Sequence, residues 1–502
     1  MKRWSVVDLG SNTARMVIYE YEPGVRFRLL NEIREPVRLG QGMGQRRRLG
    51  QKAIERAAAA LKLYADFAAS MDMPPPRVIA TSAVRDAENS KRFFDRVEPY
   101  GLPIEILPGE KEASLGVTAV ANSFTVNDAW VMDLGGGSAQ ISRMEDRRYV
   151  QGNAHPLGAV RLTEAFLYND PPKESEIKAL EAIVEEELSG LAKEMKDGLP
   201  LIAMGGSIRN LARAVQKRRN YPLGRIHGYV LKRKDLEKLV DELLVMPVKE
   251  RQKVPGIAPD RADIILAPAL VYRWLLRKSG RDRIWLSRHG VREGAFFEHF
   301  LEEPHTHEDV REFSVRNLFL RYPQPQAHTD QVRRLARLLF DGLSQLHGLG
   351  SEDADMLDKA AILHDIGMTM SYHNHQKHGA YIIQKTDILD GFTHREQVLL
   401  MLLVRYHRRG TPRWGYWRPL AGDGDKKRLM HLATCLRLAE HLERSNAGRI
   451  EDIKVWIGHR TVTLELFAKE EPVVEMWETA KDSALFAEAF GRELELEFQP
   501  SS

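Results

Sequence analysis

Two glycine turns constrain this chain more than any other feature. They are Asp8-Leu9-Gly10-Ser11-Asn12-Thr13 and Asp133-Leu134-Gly135-Gly136-Gly137-Ser138. Each follows a short strand-like run, Trp4 to Val7 and Ala129 to Met132. Each leads into an alternating segment, Arg15 to Tyr21 and Gln140 to Arg143. Glycine carries no Cβ, so several backbone N–H groups can converge on one anionic oxygen. A single turn of this kind serves equally as an ordinary hairpin. Two of them, each led by an aspartate, outline a duplicated domain that grips a phosphate chain from both sides. Asp8 and Asp133, at the strand ends, could hold a divalent cation through one or two carboxylates, as phosphate-bound Mg²⁺ sites do.

The stretches around the turns alternate strand and helix. Lys52 to Ala69 reads as an Ala-rich helix, Arg77 to Ala80 and Ile104 to Leu107 as strands, and Glu110 to Asn122 as a helix. A helix over Glu174 to Lys196 and a strand Leu201 to Ala203 repeat the alternation. A third glycine turn, Met204-Gly205-Gly206-Ser207, then opens another helix. This is an α/β pattern. Glu302 to Thr306 reads as a linker, after which the texture changes to long amphipathic helices. The stripe Val332, Leu335, Leu339, Leu343 is one example. The tail alternates again over Ile453 to Ile457, Thr461 to Phe467 and Leu494 to Phe498, as short strands do.

Composition excludes several classes. With one cysteine, Cys435, among 502 residues, neither an intrachain disulfide nor a thiolate zinc cluster can form. The start, Met1-Lys2-Arg3-Trp4, lacks a signal peptide, and the apolar runs Ile264 to Tyr272 and Val398 to Val404 are far shorter than the ~18–20 residues that span a bilayer. A cytoplasmic protein with no membrane partner is expected. A net charge of +4 is too small to imply nucleic-acid coating.

Between the two turns, Thr81-Ser82-Ala83-Val84-Arg85 ends a strand in hydroxyls and an arginine able to pair bidentately with phosphate. Gly109-Glu110-Lys111-Glu112-Ala113 then opens a helix with two glutamates, which also suits the helix dipole. Taken in order and spacing with the three glycine turns and Gly290-Val291-Arg292-Glu293-Gly294, these segments resemble the exopolyphosphatase/guanosine pentaphosphate phosphatase (Ppx/GppA) family over roughly residues 4 to 300. The resemblance implies two actin-like, ribonuclease-H-type domains, 1–122 and 123–301, with the active site in the cleft between them. It implies Glu112 as the base for the attacking water and Arg85 as a phosphate ligand. Ser11, Asn12, Thr13, Gly135, Gly136, Gly137, Ser138, Gly206 and Ser207 are implied as phosphate-binding, with Asp133 and Asp8 holding Mg²⁺. One departure stands out: Gln140 occupies a position where the family usually has glutamate.

Ten of the 17 histidines fall between His328 and His441. His364-Asp365, with His328, His378 and His407 on successive apolar helix faces, resembles the HD superfamily of metal-dependent phosphohydrolases, and Glu440 stands where those proteins keep their last aspartate. This set suits Mn²⁺, Fe²⁺, Zn²⁺ or Mg²⁺. His373, His375 and Lys377 read as a solvated loop. An all-α HD-like domain over 308–448 and a small α/β cap over 449–502 follow. The HD-like module could hydrolyse a nucleotide of its own, or bind metal and extend a polyphosphate channel along Arg46-Arg47-Arg48, Lys217-Arg218-Arg219, Lys232-Arg233-Lys234 and Arg405 to Arg409.

The leading expectation is release of terminal phosphate from inorganic polyphosphate with Mg²⁺ by a homodimer. Alternatives are hydrolysis of guanosine pentaphosphate, a non-hydrolysing polyphosphate or alarmone sensor, and a sugar-kinase-like or chaperone-like ATPase.

Overall fold

A computed structural model of the chain describes residues 1–43 and 47–501, so Arg46 lies outside the described residues. Two compact units result, Met1–Val310 and Arg311–Ser502.

The first unit contains two sheets. In the first, β1 (Lys2–Leu9), β2 (Ala14–Glu22), β3 (Arg26–Glu35), β4 (Arg77–Ala80) and β5 (Ile104–Ile106) lie in the order β3-β2-β1-β4-β5. The second comprises β6 (Ala129–Leu134), β7 (Ala139–Glu145), β8 (Arg148–His155), β9 (Leu201–Met204), β10 (Val230–Lys232) and β11 (Arg283–Leu286), in the order β10-β11-β9-β6-β7-β8. With β10 set aside, the two orders are the same: an antiparallel three-stranded meander whose first strand pairs in parallel with the next, which pairs in parallel with a third. Each glycine turn joins the first two strands of its sheet. The duplication is therefore one of topology as well as of motif, and the fold is the actin-like pair that the family resemblance implies.

Helices cover the sheets, which is why β1 and β2 bury nearly every residue from Val6 to Tyr21 instead of alternating. The helix Val291–Phe300 follows the second sheet in sequence but packs on the first. Phe296 stacks on Tyr19 with ring centroids 4.0 Å apart, and His299 stacks on Trp4 at 4.8 Å. His299 Nε2 also lies 2.6 Å from the Tyr21 hydroxyl. Burying each such ring contributes about 1.5–3 kcal/mol. On its other side this helix crosses the helix Gly109–Ala121 so closely that a Cβ on Gly294 would fall on the Leu115 carbonyl.

The second unit is a helical bundle. The predicted stripe Val332, Leu335, Leu339, Leu343 is fully buried. The run Val398 to Val404, apolar but too short for a bilayer, is the buried centre of the helix His394–Tyr406. The helix Asp425–Leu442 is likewise buried on all sides from Leu429 onward, as a central bundle helix must be. The three expected tail strands form one sheet, β12 (Asp452–Ile457), β13 (Thr461–Ala468) and β14 (Glu493–Pro500), in that order. Two helices, Val473–Ala480 and Ser483–Phe490, lie between β13 and β14. Among the described residues no helix is long and apolar enough to cross a membrane.

Because a side chain on Gly294 must push two helices apart against backbone, Gly294→Ala is expected to cost about 1–3 kcal/mol. Urea unfolding of the whole chain, followed by tryptophan fluorescence, measures this as a lower midpoint at unchanged slope.

Candidate active site and a histidine cluster

The two hairpins meet at their turns. Gly10 N–H donates to the Thr13 carbonyl at 3.1 Å, and Gly135 N–H to the Ser138 carbonyl at 2.9 Å, so both turns close in the same way. They then pack face to face. A Cβ on Gly136 would lie 2.8 Å from Ser11 Cβ, and one on Gly137 would lie 2.6 Å from Ser82 Oγ and 2.9 Å from Ser11 Oγ. Ser11 Oγ and Ser82 Oγ are themselves 3.1 Å apart. Only glycine permits this approach, and it sets the floor of a cavity of about 130 Å³.

The cavity gathers Asp8, Ser11, Asn12, Thr13, Glu112, Asp133, Gly135, Gly136, Ser138 and Gly206. Three predicted residues are not on its wall. Gly137 is spent on the contact between turns, Ser207 is buried in the first turn of the helix Gly206–Arg218, and Arg85 lies behind Glu112. Arg85 Nη1 donates to Glu112 Oε2 at 3.0 Å and to the Leu107 carbonyl at 2.8 Å. This arginine therefore orients a carboxylate as well as offering charge. Burial pushes the Glu112 carboxyl up to about 7, with Arg85 opposing and Asp133 and Asp8 adding to the rise. Asp133 is pushed up to about 6, and Asp8 is raised too, in each case chiefly by burial. Neither of these two carboxylates makes a hydrogen bond or ion pair among the described residues.

Four arginines on the same wall escaped sequence reasoning: Arg15, Arg209, Arg261 and Arg292. Arg15 pairs with Glu32 at 2.9 Å, and Arg292 lies 3.6 Å from Glu293. Arg209 is held by the Gly205 and Arg288 carbonyls at 2.9 and 2.7 Å. Burial and the neighbouring arginines lower Arg209 to about 10, and Arg261 is lowered to about 10 mainly by burial. Cations this crowded and desolvated favour an anionic ligand. Signals for two of them were present, since Arg209 follows Gly205-Gly206-Ser207 and Arg292 lies inside a quoted motif. Arg261, in the short 3₁₀ turn Pro259–Arg261, had none. Gln140 is buried and donates from Nε2 to Ser138 Oγ at 2.8 Å, so the residue that departs from the family pattern supports the phosphate loop from behind.

The second unit brings a different constellation together. His328, His364, Asp365, His407 and Glu440 converge from four helices and their ends. Glu440 Oε2 lies 3.3 Å from His328 Nε2 and 3.2 Å from His364 Nε2. The expected His378 is not in the cluster: its place is taken by His375, whose Nε2 lies 3.1 Å from both Asp365 Oδ1 and His407 Nε2. The supposed solvated loop ends at Asn374, and His375 opens the helix His375–Lys385 facing inward, 3 % exposed. Three imidazoles use Nδ1 on backbone: His364 on the Ala361 carbonyl at 2.7 Å, His375 on Tyr372 at 2.9 Å and His407 on Val404 at 2.8 Å. Donation there leaves each Nε2 lone pair facing the others, which is the tautomer a metal requires. Asp365 Oδ1 and Glu440 Oε2 are buried and accept no hydrogen bond. The geometry supplies two ligand triads sharing Asp365, one with His328 and His364 and one with His375 and His407.

Of the basic segments, Arg218 and Arg219 are ion-paired with Glu242 and Asp235. Arg408 reaches the Tyr372 hydroxyl at 3.1 Å and Arg409 reaches Asn374 Oδ1 at 2.6 Å, both beside the cluster.

Residues 17–303 match the model of the Ppx/GppA phosphatase family, and residues 310–479 that of domain III of the same family. The chain belongs to the Ppx/GppA phosphatase family. Solved family members match about three-fifths of the chain. A crystal structure of the Aquifex aeolicus Ppx/GppA family member is 29% identical, with a TM-score of 0.50, covering 59% of this chain and 96% of that one. A second Aquifex aeolicus Ppx/GppA structure is 30% identical at a TM-score of 0.50, covering 59% and 98%. An exopolyphosphatase from Cytophaga hutchinsonii shares the fold at 23% identity and a TM-score of 0.56, over 60% and 98%. Membership makes the chain a phosphohydrolase.

Since Gly137 holds the two phosphate turns in register, Gly137→Ala is expected to separate Ser11 and Ser82 and lower phosphatase kcat/KM by about 10²-fold, the usual cost of a 1 Å misplacement. Far-UV circular dichroism should remain that of the unaltered protein.

Proposed function

We propose that this chain is an exopolyphosphatase, releasing orthophosphate from the end of inorganic polyphosphate in the cleft of its first unit. The observation that carries the reading is Glu112, a buried carboxylate held by Arg85 on the wall of a cavity whose other walls are two glycine turns and four arginines.

In this reading the terminal phosphoryl group lies on the Gly135–Ser138 and Ser11–Thr13 turns, with backbone N–H groups and hydroxyls on its oxygens. Arg15, Arg209, Arg261 and Arg292 neutralise the chain behind it. The Glu112 carboxylate accepts a proton from a water as its oxygen bonds to phosphorus. The bridging P–O bond breaks, and the shortened polyphosphate departs as an anion. Asp8 and Asp133, free of other partners and pressed toward protonation by burial, fit a cation and would hold Mg²⁺ there. When bound, Mg²⁺ offsets the charge of the phosphoryl oxygens. The cavity is open to a linear polyanion, whereas among the described residues no aromatic side chain lines it to stack a guanine base, which favours polyphosphate over guanosine pentaphosphate.

The histidine cluster also fits a metal, given its inward Nε2 lone pairs and unpartnered carboxylate oxygens. We assign it one or two divalent ions, held by His328, His364 and Glu440 on one side of Asp365 and by His375 and His407 on the other.

Long-chain polyphosphate and guanosine pentaphosphate, supplied separately and in competition with Mg²⁺, test the substrate. Glu112→Ala should reduce kcat on polyphosphate by 10²–10⁴, roughly the contribution of a general base. Activity that survives this change and vanishes in a His364→Ala/Asp365→Ala double variant would move the chemistry to the second unit. A base with its pKa raised to about 7 works only once deprotonated, so kcat/KM should climb with pH and level off above about 7. Arg85→Ala, which removes a group that lowers the Glu112 pKa, should shift that limb to higher pH. For the cluster, metal analysis after dialysis should find divalent ion in the parent protein and in His378→Ala, but not in His375→Ala.

A further inference from the structure

A second cavity in the Arg311–Ser502 unit has no part in either site described above. It measures about 330 Å³, at the lower end of the range for small-molecule sites. It lies between the outer faces of the helices His375–Lys385 and His394–Tyr406 and the segment Arg413–Trp417.

Three features of its lining point to one ligand chemistry. The first is charge: Lys377, Arg405 and Arg413 border it, no carboxylate does, and none of the three has an ion-pair partner among the described residues. Arg311, Arg333, Arg395, Arg428 and Arg437 of the same unit are, by contrast, ion-paired. The second is aromatic surface: Tyr416 is 71 % and Tyr381 55 % exposed, the first edge-on to Trp417 with ring centroids 5.1 Å apart and the second beneath the Lys385 ammonium. The third is support beneath those rings. The Trp414 indole N–H donates to the Asp425 carbonyl at 3.2 Å, fixing the turn that presents Tyr416. Cationic groups select phosphate, and exposed π-faces select a planar base.

We infer that this cavity is a nucleotide-binding site, with the base against Tyr416 and Tyr381 and the phosphates on Lys377, Arg405 and Arg413. It is separate from the polyphosphate cleft and does not depend on that reading. It shares its two helices with His375 and His407, so a bound nucleotide sits on the elements that position half of the histidine cluster.

Isothermal titration of the full-length protein with ADP and with GDP tests the inference, with pyrophosphate and ribose 5-phosphate as comparison ligands. Saturable binding of at least one nucleotide is expected. Tyr416→Ala and Arg413→Ala, both at exposed positions, should weaken it at least about tenfold, the effect of losing one good stacking or phosphate contact. Tyr416→Phe should restore it, because the π-face returns. Arg292→Ala, in the polyphosphate cleft, should leave it unchanged. The inference is overturned if neither nucleotide binds at up to about 1 mM, or if binding is lost in Arg292→Ala but kept in Arg413→Ala. Pyrophosphate binding as tightly as ADP, with Tyr416→Ala indifferent, would overturn it too by showing an inorganic anion site.

Discussion

The contact between two glycine turns governs the first unit. Where Gly136 and Gly137 press on Ser11 and Ser82, the halves of a duplicated fold come within van der Waals distance at their turns. A cleft is the geometric remainder of that contact. Its floor is backbone N–H and hydroxyl, and its walls carry the first residues after each strand. Each duplicated element supplies one glycine turn and one carboxylate, Asp8 opposite Arg15 in the first hairpin and Asp133 opposite Gln140 in the second.

The charge balance inside the cleft follows from burial. Asp8, Asp133 and Glu112 are all pushed toward protonation, while Arg209 and Arg261 are pushed toward losing their protons. Both signs are therefore uncomfortable in the same small volume, and both are relieved by ligands of opposite charge. The phosphate chain and cations proposed for this site would together settle all of the groups present, which neither alone would do.

The parts of this protein visible in the sequence were those with local chemistry. Glycine turns, strand runs and the stripe Val332 to Leu343 are short-range patterns, and the Glu112 segment is contiguous. What escaped depends on long-range convergence. Arg261 looks like any surface arginine until the fold carries it to Gly206, where a Cβ would lie 2.5 Å from its guanidinium carbon. The choice of His378 over His375 followed apolar spacing from Ile382. That argument fails at a helix start, because Asn374 in the left-handed region turns the chain so that the first residue, His375, points inward. The helices Val473–Ala480 and Ser483–Phe490 are only eight residues each, too short to show a period.

The placement of the helix Val291–Phe300 reaches beyond the native state. Trp4, Tyr19, Tyr21 and Phe27 find their aromatic partners in Phe296, His299 and Phe300, nearly 300 residues downstream. During synthesis the first sheet thus emerges long before the residues that cover it. The N-terminal half must wait on the ribosome with an uncovered aromatic face until residue 300 is out, a period of tens of seconds at about 5–20 residues per second. For this chain, the last helix of the first unit closes the first core, and the earliest strands made are among the last to become native.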